Sequence, residues 1–118
     1  MAKYEKTVYG DFKTIVDKLD DEIINSGVSM QLVDTSHFET GDTKVSVHIY
    51  DKFFMRNSSR ASLSVTVVGR AEIVFISAIG SGGGQGAFFN FSWGAEEDIL
   101  TSVEDCIIKM LREGKIRL

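Results

Sequence analysis

The chain has no proline and one cysteine, Cys106. With no second thiol, an intrachain disulfide is impossible, which excludes the stapled framework of small secreted domains. The missing proline fits uninterrupted strands whose turns are built from glycine and asparagine. Long apolar runs are missing too. None approaches the roughly 18–20 residues that a membrane-spanning helix needs, and Met1-Ala2-Lys3-Tyr4-Glu5-Lys6 lacks the apolar segment of a secretory leader. A cytoplasmic location and no membrane partner are the expectations. Charge of one sign is scarce as well. The 17 acidic side chains outnumber the 13 basic ones only modestly, for a net charge of −4. Nucleic acid is therefore disfavoured as a partner, because that affinity comes mostly from neutralising phosphates. One local mixture of base and aromatic does occur, where Lys52, Arg56 and Arg60 flank Phe53, Phe54 and Met55. It could stack on single-stranded bases, but in an acidic chain apolar hairpin contacts fit it better.

What is present is ordinary globular material: 118 residues, 43% hydrophobic and 25% charged, enough for one domain over 1–118 with its own core. Tyr4–Tyr9 reads as a short strand. Asp11 can cap a helix over about 11–26, whose apolar stripe is Phe12, Ile15, Val16, Leu19 and Ile23. Gly27 stands where a left-handed cap residue is expected. From Val28 the period changes to two. Val28, Met30 and Leu32 alternate with Ser29, Gln31 and Val33, and Thr40-Gly41-Asp42 makes a turn. Val45, Val47 and Ile49 then alternate with Ser46, His48 and Tyr50, which puts His48 on the polar, outward parity. Leu63, Val65 and Val67 alternate with Ser62, Ser64 and Thr66. Ala71–Ile79 is apolar on both parities and should be covered on both faces or nearly so. A glycine loop, Gly80–Gly86, leads into a further aromatic strand over 87–93. The last helix has Glu96, Glu97 and Asp98 in its first turn and Lys109 and Arg112 near its end, as the helix dipole favours. Its stripe is Ile99, Leu100, Val103, Ile107, Met110 and Leu111, Gly114 stops it, and residues 115–118 read as a frayed tail. The expected fold is α+β, a mainly antiparallel sheet of five to six strands with two helices on one face, in the order β-α-β-β-β-β-β-α.

Gly82-Gly83-Gly84-Gln85-Gly86-Ala87 satisfies a relaxed dinucleotide fingerprint. That chemistry requires the turn to open a helix whose N–H groups hold pyrophosphate. Here a strand follows, and no Gly-Lys-Ser/Thr is present for a phosphate-binding loop. A hairpin loop or a flap over a pocket fits better. Asp34, His37, Glu39 and Asp42 cluster around the first turn but match no metal-ligand pattern, so neither metal nor cofactor is expected. Cys106, beside Glu104 and Asp105, reads as a buried small hydrophobe rather than a nucleophile. No nucleophile–base–orienter set is recognisable, so the balance leans away from an enzyme.

Lys3-Tyr4-Glu5 with Gly10-Asp11-Phe12, Gly41-Asp42 leading into Val47-His48-Ile49-Tyr50, and Ser81-Gly82-Gly83 with Phe88-Phe89 resemble a family of small uncharacterised proteins from Gram-positive bacteria, a domain of unknown function. The resemblance implies a compact α+β domain in a bacterial cytoplasm, and no activity.

The candidate binding residues are Gly82, Gly83, Gly84, Gln85, His48 and Tyr50; the candidate interface residues are Val74, Ile76, Phe88, Phe53 and Phe54. They support a non-enzymatic module that self-associates, most simply as a homodimer, or binds a small apolar ligand through its sheet. The rival is a small-molecule enzyme whose Gly80–Gly86 loop closes over an anionic substrate, with His37 or His48 as acid–base group.

Overall fold

Each stretch of helical period folds as a helix against the same face of one sheet. The computed structural model describes residues 2–27, 29–54, 59–82 and 95–118. In order these form β1 (Ala2–Gly10), α1 (Phe12–Ile24), β2 (Met30–Thr40), β3 (Thr43–Phe54), β4 (Ser59–Arg70), β5 (Ile73–Gly82), α2 (Ala95–Arg112) and β6 (Ile116–Arg117). The six strands form one antiparallel sheet in the order β2-β3-β4-β5-β1-β6. The α+β class, the antiparallel sheet and the shared helix face all agree with the sequence pattern. No helix among the described residues is long and apolar enough to cross a membrane.

Helix α1 starts where expected. The Asp11 carboxylate accepts from the Thr14 backbone N–H at 3.0 Å and from the Thr14 hydroxyl at 2.8 Å, supplying an acceptor for one of the helix's unpaired donors. Its end departs from expectation. Asn25 is the C-cap, and Gly27 does not adopt positive φ; a Cβ there would meet the Lys52 ammonium at 2.9 Å. Helix α2 does end on a left-handed glycine, Gly114 at φ +73. Bonds from the Gly114 N–H to the Leu111 carbonyl and from the Lys115 N–H to the Met110 carbonyl complete the cap. That reversal turns the last residues back onto the sheet. Ile116 is buried and pairs with Gly10, so the expected frayed tail is instead a short edge strand.

The core lies between helices and sheet. Ile15, Leu19 and Ile23 of α1 and Ile99, Val103, Ile107 and Met110 of α2 pack over Val8, Leu63, Val65, Val67, Val74 and Ile76. Cys106 is buried among them. Burial, and next the nearby Glu22 charge, push its thiol up to about 11, so it is a packed hydrophobe, in agreement with the sequence pattern. At Gly69, an added Cβ would sit 2.6 Å from Cδ1 of Phe12; glycine is what lets the first turn of α1 lie on β4.

Two strand readings change. Gly80, Ser81 and Gly82 belong to β5, paired with Leu63, Ser62 and Ala61 of β4, because a strand alongside satisfies their backbone groups. The glycine segment therefore begins later than Gly80, and its remainder, with the expected 87–93 strand, lies outside the described residues. Strand β2 carries a bulge between Leu32 and Asp34. Val33 is the extra residue and is exposed; Leu32, on the same parity as the buried Met30, is exposed as well on this edge strand, and beyond the bulge the alternation changes face.

Candidate functional site

The parity of β3 is the reverse of its polarity. Its register sets Ser46, His48 and Tyr50 beside Val67, Val65 and Leu63, and these are the residues of β4 that face the helices. Ser46 and Tyr50 are each 1% exposed, and His48 is mostly enclosed, whereas Val45, Val47 and Ile49 lie on the other face. The outward His48 expected from polarity is thus an inward one. The physical reason is a partner on α1. Asp20, on the edge of the helical stripe, accepts from the Tyr50 hydroxyl at 2.7 Å, and Nδ1 of His48 lies 3.2 Å from the same Asp20 oxygen and 3.1 Å from the Tyr50 oxygen. Burial first, and then the hydrogen bond to Asp20 and its charge, raise the Tyr50 phenol above its ordinary value, so it remains a donor. With the Tyr50 proton given to Asp20, Nδ1 bonds to that carboxylate only if it carries a proton itself.

That cluster unites His48 and Tyr50, two of the candidate binding residues, and brings His37 edge-on to His48 with ring centroids 5.6 Å apart. Its chemistry is limited by enclosure. His48 Nε2 and Ser46 Oγ are both buried without a hydrogen-bond partner, so they do not bond each other as base and nucleophile would. The cavity bounded by Val16, Leu19, Ser46, His48 and Tyr50 holds about 10 Å³, roughly one water and far below a substrate. The cluster fastens α1 to the sheet. A larger, polar cleft of about 310 Å³ lies between the end of α1 and α2, with Lys52, Asp105 and Ser102 on its walls.

The remaining candidates separate cleanly. Val74 and Ile76 are fully buried beneath the helices, so neither is available to a partner; the open face takes the opposite parity of β5, Ile73, Phe75 and Ile79. Phe53 is on the open face near its end, with the Arg60 guanidinium 5.9 Å from its ring centroid. Gly82 ends β5. Gly83, Gly84, Gln85, Phe88 and the Phe54 side chain lie outside the described residues. Asp34, His37 and Glu39 do not converge, because past the bulge Asp34 pairs with Ile49 on the open face while His37 pairs with Ser46 on the helix side. Among the described residues there is no group of three or more His, Cys, Asp or Glu that could hold a metal ion.

Among the described residues no element covers the other face of the sheet, whose detail sequence reasoning missed. Ladder pairing lines up Phe38, Val45, Val68 and Phe75 across β2, β3, β4 and β5. The parallel rows are Ser36, Val47, Thr66 and Ser77, then Asp34, Ile49, Ser64 and Ile79. On β1 these rows end in Thr7, Glu5 and Lys3. Phe38 is 62% exposed, Ile79 38% and Phe75 36%. The signal that could have found this surface was in the sequence: apolar residues on β3 and hydroxyls on β4 share one face only once the register is known.

No curated protein and no solved structure matches the chain. A family model does match, over residues 1–111, nearly the whole of the sheet-and-helix arrangement just described, and the chain belongs to that family, a family of unknown function (DUF6054).

Proposed function

We propose that this protein is a non-enzymatic module that self-associates, two copies packing the open faces of their sheets together as a homodimer. One observation carries the reading. Both helices cover the same face, and Val45, Val47, Ile49, Val68, Phe75 and Ile79, from three neighbouring strands, stand on the other. Contiguous apolar surface of this kind on a sheet marks an interaction site.

Size supports it. Five strands at about 4.8 Å spacing and four residue pairs of length give a footprint of roughly 650 Å² before side-chain relief is counted, close to the ~800 Å² of accessible surface per partner in a stable interface. The composition supports it as well, with apolar residues and uncharged hydroxyls on β3, β4 and β5 and the charges of Asp34, Lys3 and Glu5 on the flanking strands β2 and β1, as charge is depleted from an interface core and kept at its rim. Two such faces pack about 10 Å apart with their strands roughly aligned. A cytoplasmic, reducing setting goes with this reading, since Cys106 is buried and unpaired.

The test is sedimentation velocity on the wild type and on Val68→Asp. This substitution puts a charge at the centre of the open face and leaves the helix-side core untouched. The wild type should sediment as a dimer at micromolar concentration and the variant as a folded monomer. Equal sedimentation of the two would remove the reading.

A further inference from the structure

We infer that the two copies meet about a two-fold axis running along β4, so that Asp34 of each copy faces Lys3 of the other. This rests on the open-face dimer proposed above and adds its register. A face-to-face pair of identical sheets is isologous, so its axis lies in the plane of contact. It runs either along the strands or across them.

An axis along β4 exchanges β2 with β1 and β3 with β5 and keeps every row in place. Asp34 then meets Lys3, Ile49 meets Ile79, and Val45 meets Phe75, each twice by symmetry. Val68, Thr66 and Ser64 meet their own counterparts on the axis. Apolar thus faces apolar at Ile49–Ile79, Val45–Phe75 and Val68, hydroxyl faces hydroxyl at Thr66 and Ser64, and the acidic corner faces the basic one; the mixed pairs are Val47 with Ser77, Phe38 with Thr7 and Ser36 with Glu5. An axis across the strands reverses the rows instead. Lys3 then meets Tyr9, Asp34 meets Thr40 and Glu5 meets Thr7, which leaves all three of these charges without an opposite charge, where the axis along β4 leaves only Glu5, opposite Ser36. Moving the axis half a column, between β4 and β5, lays Lys3 on Ile49 and Glu5 on Val47, covering charges with hydrocarbon.

The axis along β4 also brings Arg70 and Arg60 near their own counterparts. Each already has an acid in its own chain: Arg70 Nε lies 3.5 Å from Asp42 and Arg60 Nη1 3.7 Å from Asp51. Lys3, at 61% side-chain exposure, is only loosely held by Glu5 at 3.8 Å, and its four-carbon stem reaches across the roughly 30° offset of aligned sheets.

The experiment is a charge swap read by sedimentation equilibrium, with melting curves to show that each variant folds. Lys3→Glu alone and Asp34→Lys alone each place two like-charge contacts in the dimer, and each should weaken it about tenfold or more. An equimolar mixture of the two variants should recover wild-type affinity. In the mixed dimer the introduced glutamate faces the introduced lysine at one corner, and the native Asp34 faces the native Lys3 at the other. The chain carrying both substitutions should dimerise like the wild type. If the wild type dimerises while the mixture and the doubly substituted chain stay as weak as the single variants, the register is wrong and the open-face reading stands. A monomeric wild type would instead remove the face itself.

Discussion

Cys106 should make the fold lose stability in alkali, by an amount the structure sets. In the unfolded chain its thiol titrates near 9.0, while in the core, with burial as the main cause and Glu22 next, it is pushed up to about 11. Between those values the folded chain holds a proton that the unfolded chain has released. Stability is then fully present below pH 9 and falls as pH rises through 11. Two pH units at 1.36 kcal/mol each give about 3 kcal/mol of loss from this one group. Tyr50, also raised, adds loss of the same sign at higher pH. The comparison that isolates the thiol is therefore wild type against Cys106→Ala, which keeps Tyr50. Urea unfolding at pH 8 and pH 11, at fixed protein concentration with reductant present, should show the wild type losing about 2–3 kcal/mol more than the variant over that interval. Equal losses would mean that Cys106 is not held as a neutral thiol in the core. A thiol-specific reagent at pH 8 gives a second view, since it should react only after unfolding.

Tyr50→Phe keeps the ring in the core and removes the donor to Asp20; chemical denaturation should show a loss of about 1–3 kcal/mol, and a loss below about 0.5 kcal/mol would mean the cluster does not hold α1. Gly69→Ala should cost about 1–3 kcal/mol by thermal unfolding, because the new Cβ meets Phe12 at 2.6 Å. The same change beside Phe12→Ala should cost much less, since the ring that blocks it is gone.

The elements that read well from sequence were those in which a single period decides the answer. The stripes of α1 and α2 repeat every three or four residues and fall on the core, Asp11 caps α1, and Gly114 ends α2 because the chain needs a positive φ there. What misled was parity. In β3 the apolar set is Val45, Val47 and Ile49, and polarity alone turns those inward. The inward set is Ser46, His48 and Tyr50, which only the ladder to Val67, Val65 and Leu63 and the carboxylate of Asp20 on α1 can reveal. Both are long-range facts; the bond from Tyr50 to Asp20 spans 30 positions of sequence, and no local pattern encodes it. The same ambiguity affects β5, where Val74 and Ile76 were expected at an interface although Phe75 and Ile79 occupy the open side. A strand apolar on both parities says that both faces matter without saying which face the helices take. The bulge at Leu32 and Asp34 is a further case, since it moves the acidic Asp34 onto the open face and parts it from His37.

The most direct test of the open face is the mass of the native protein in solution, measured by light scattering across a concentration series through the micromolar range. A dimer of the 13.1 kDa chain should give twice the chain mass at the upper end and dissociate on dilution. A mass equal to one chain at every concentration would contradict the proposal that this sheet is completed by a second copy of itself.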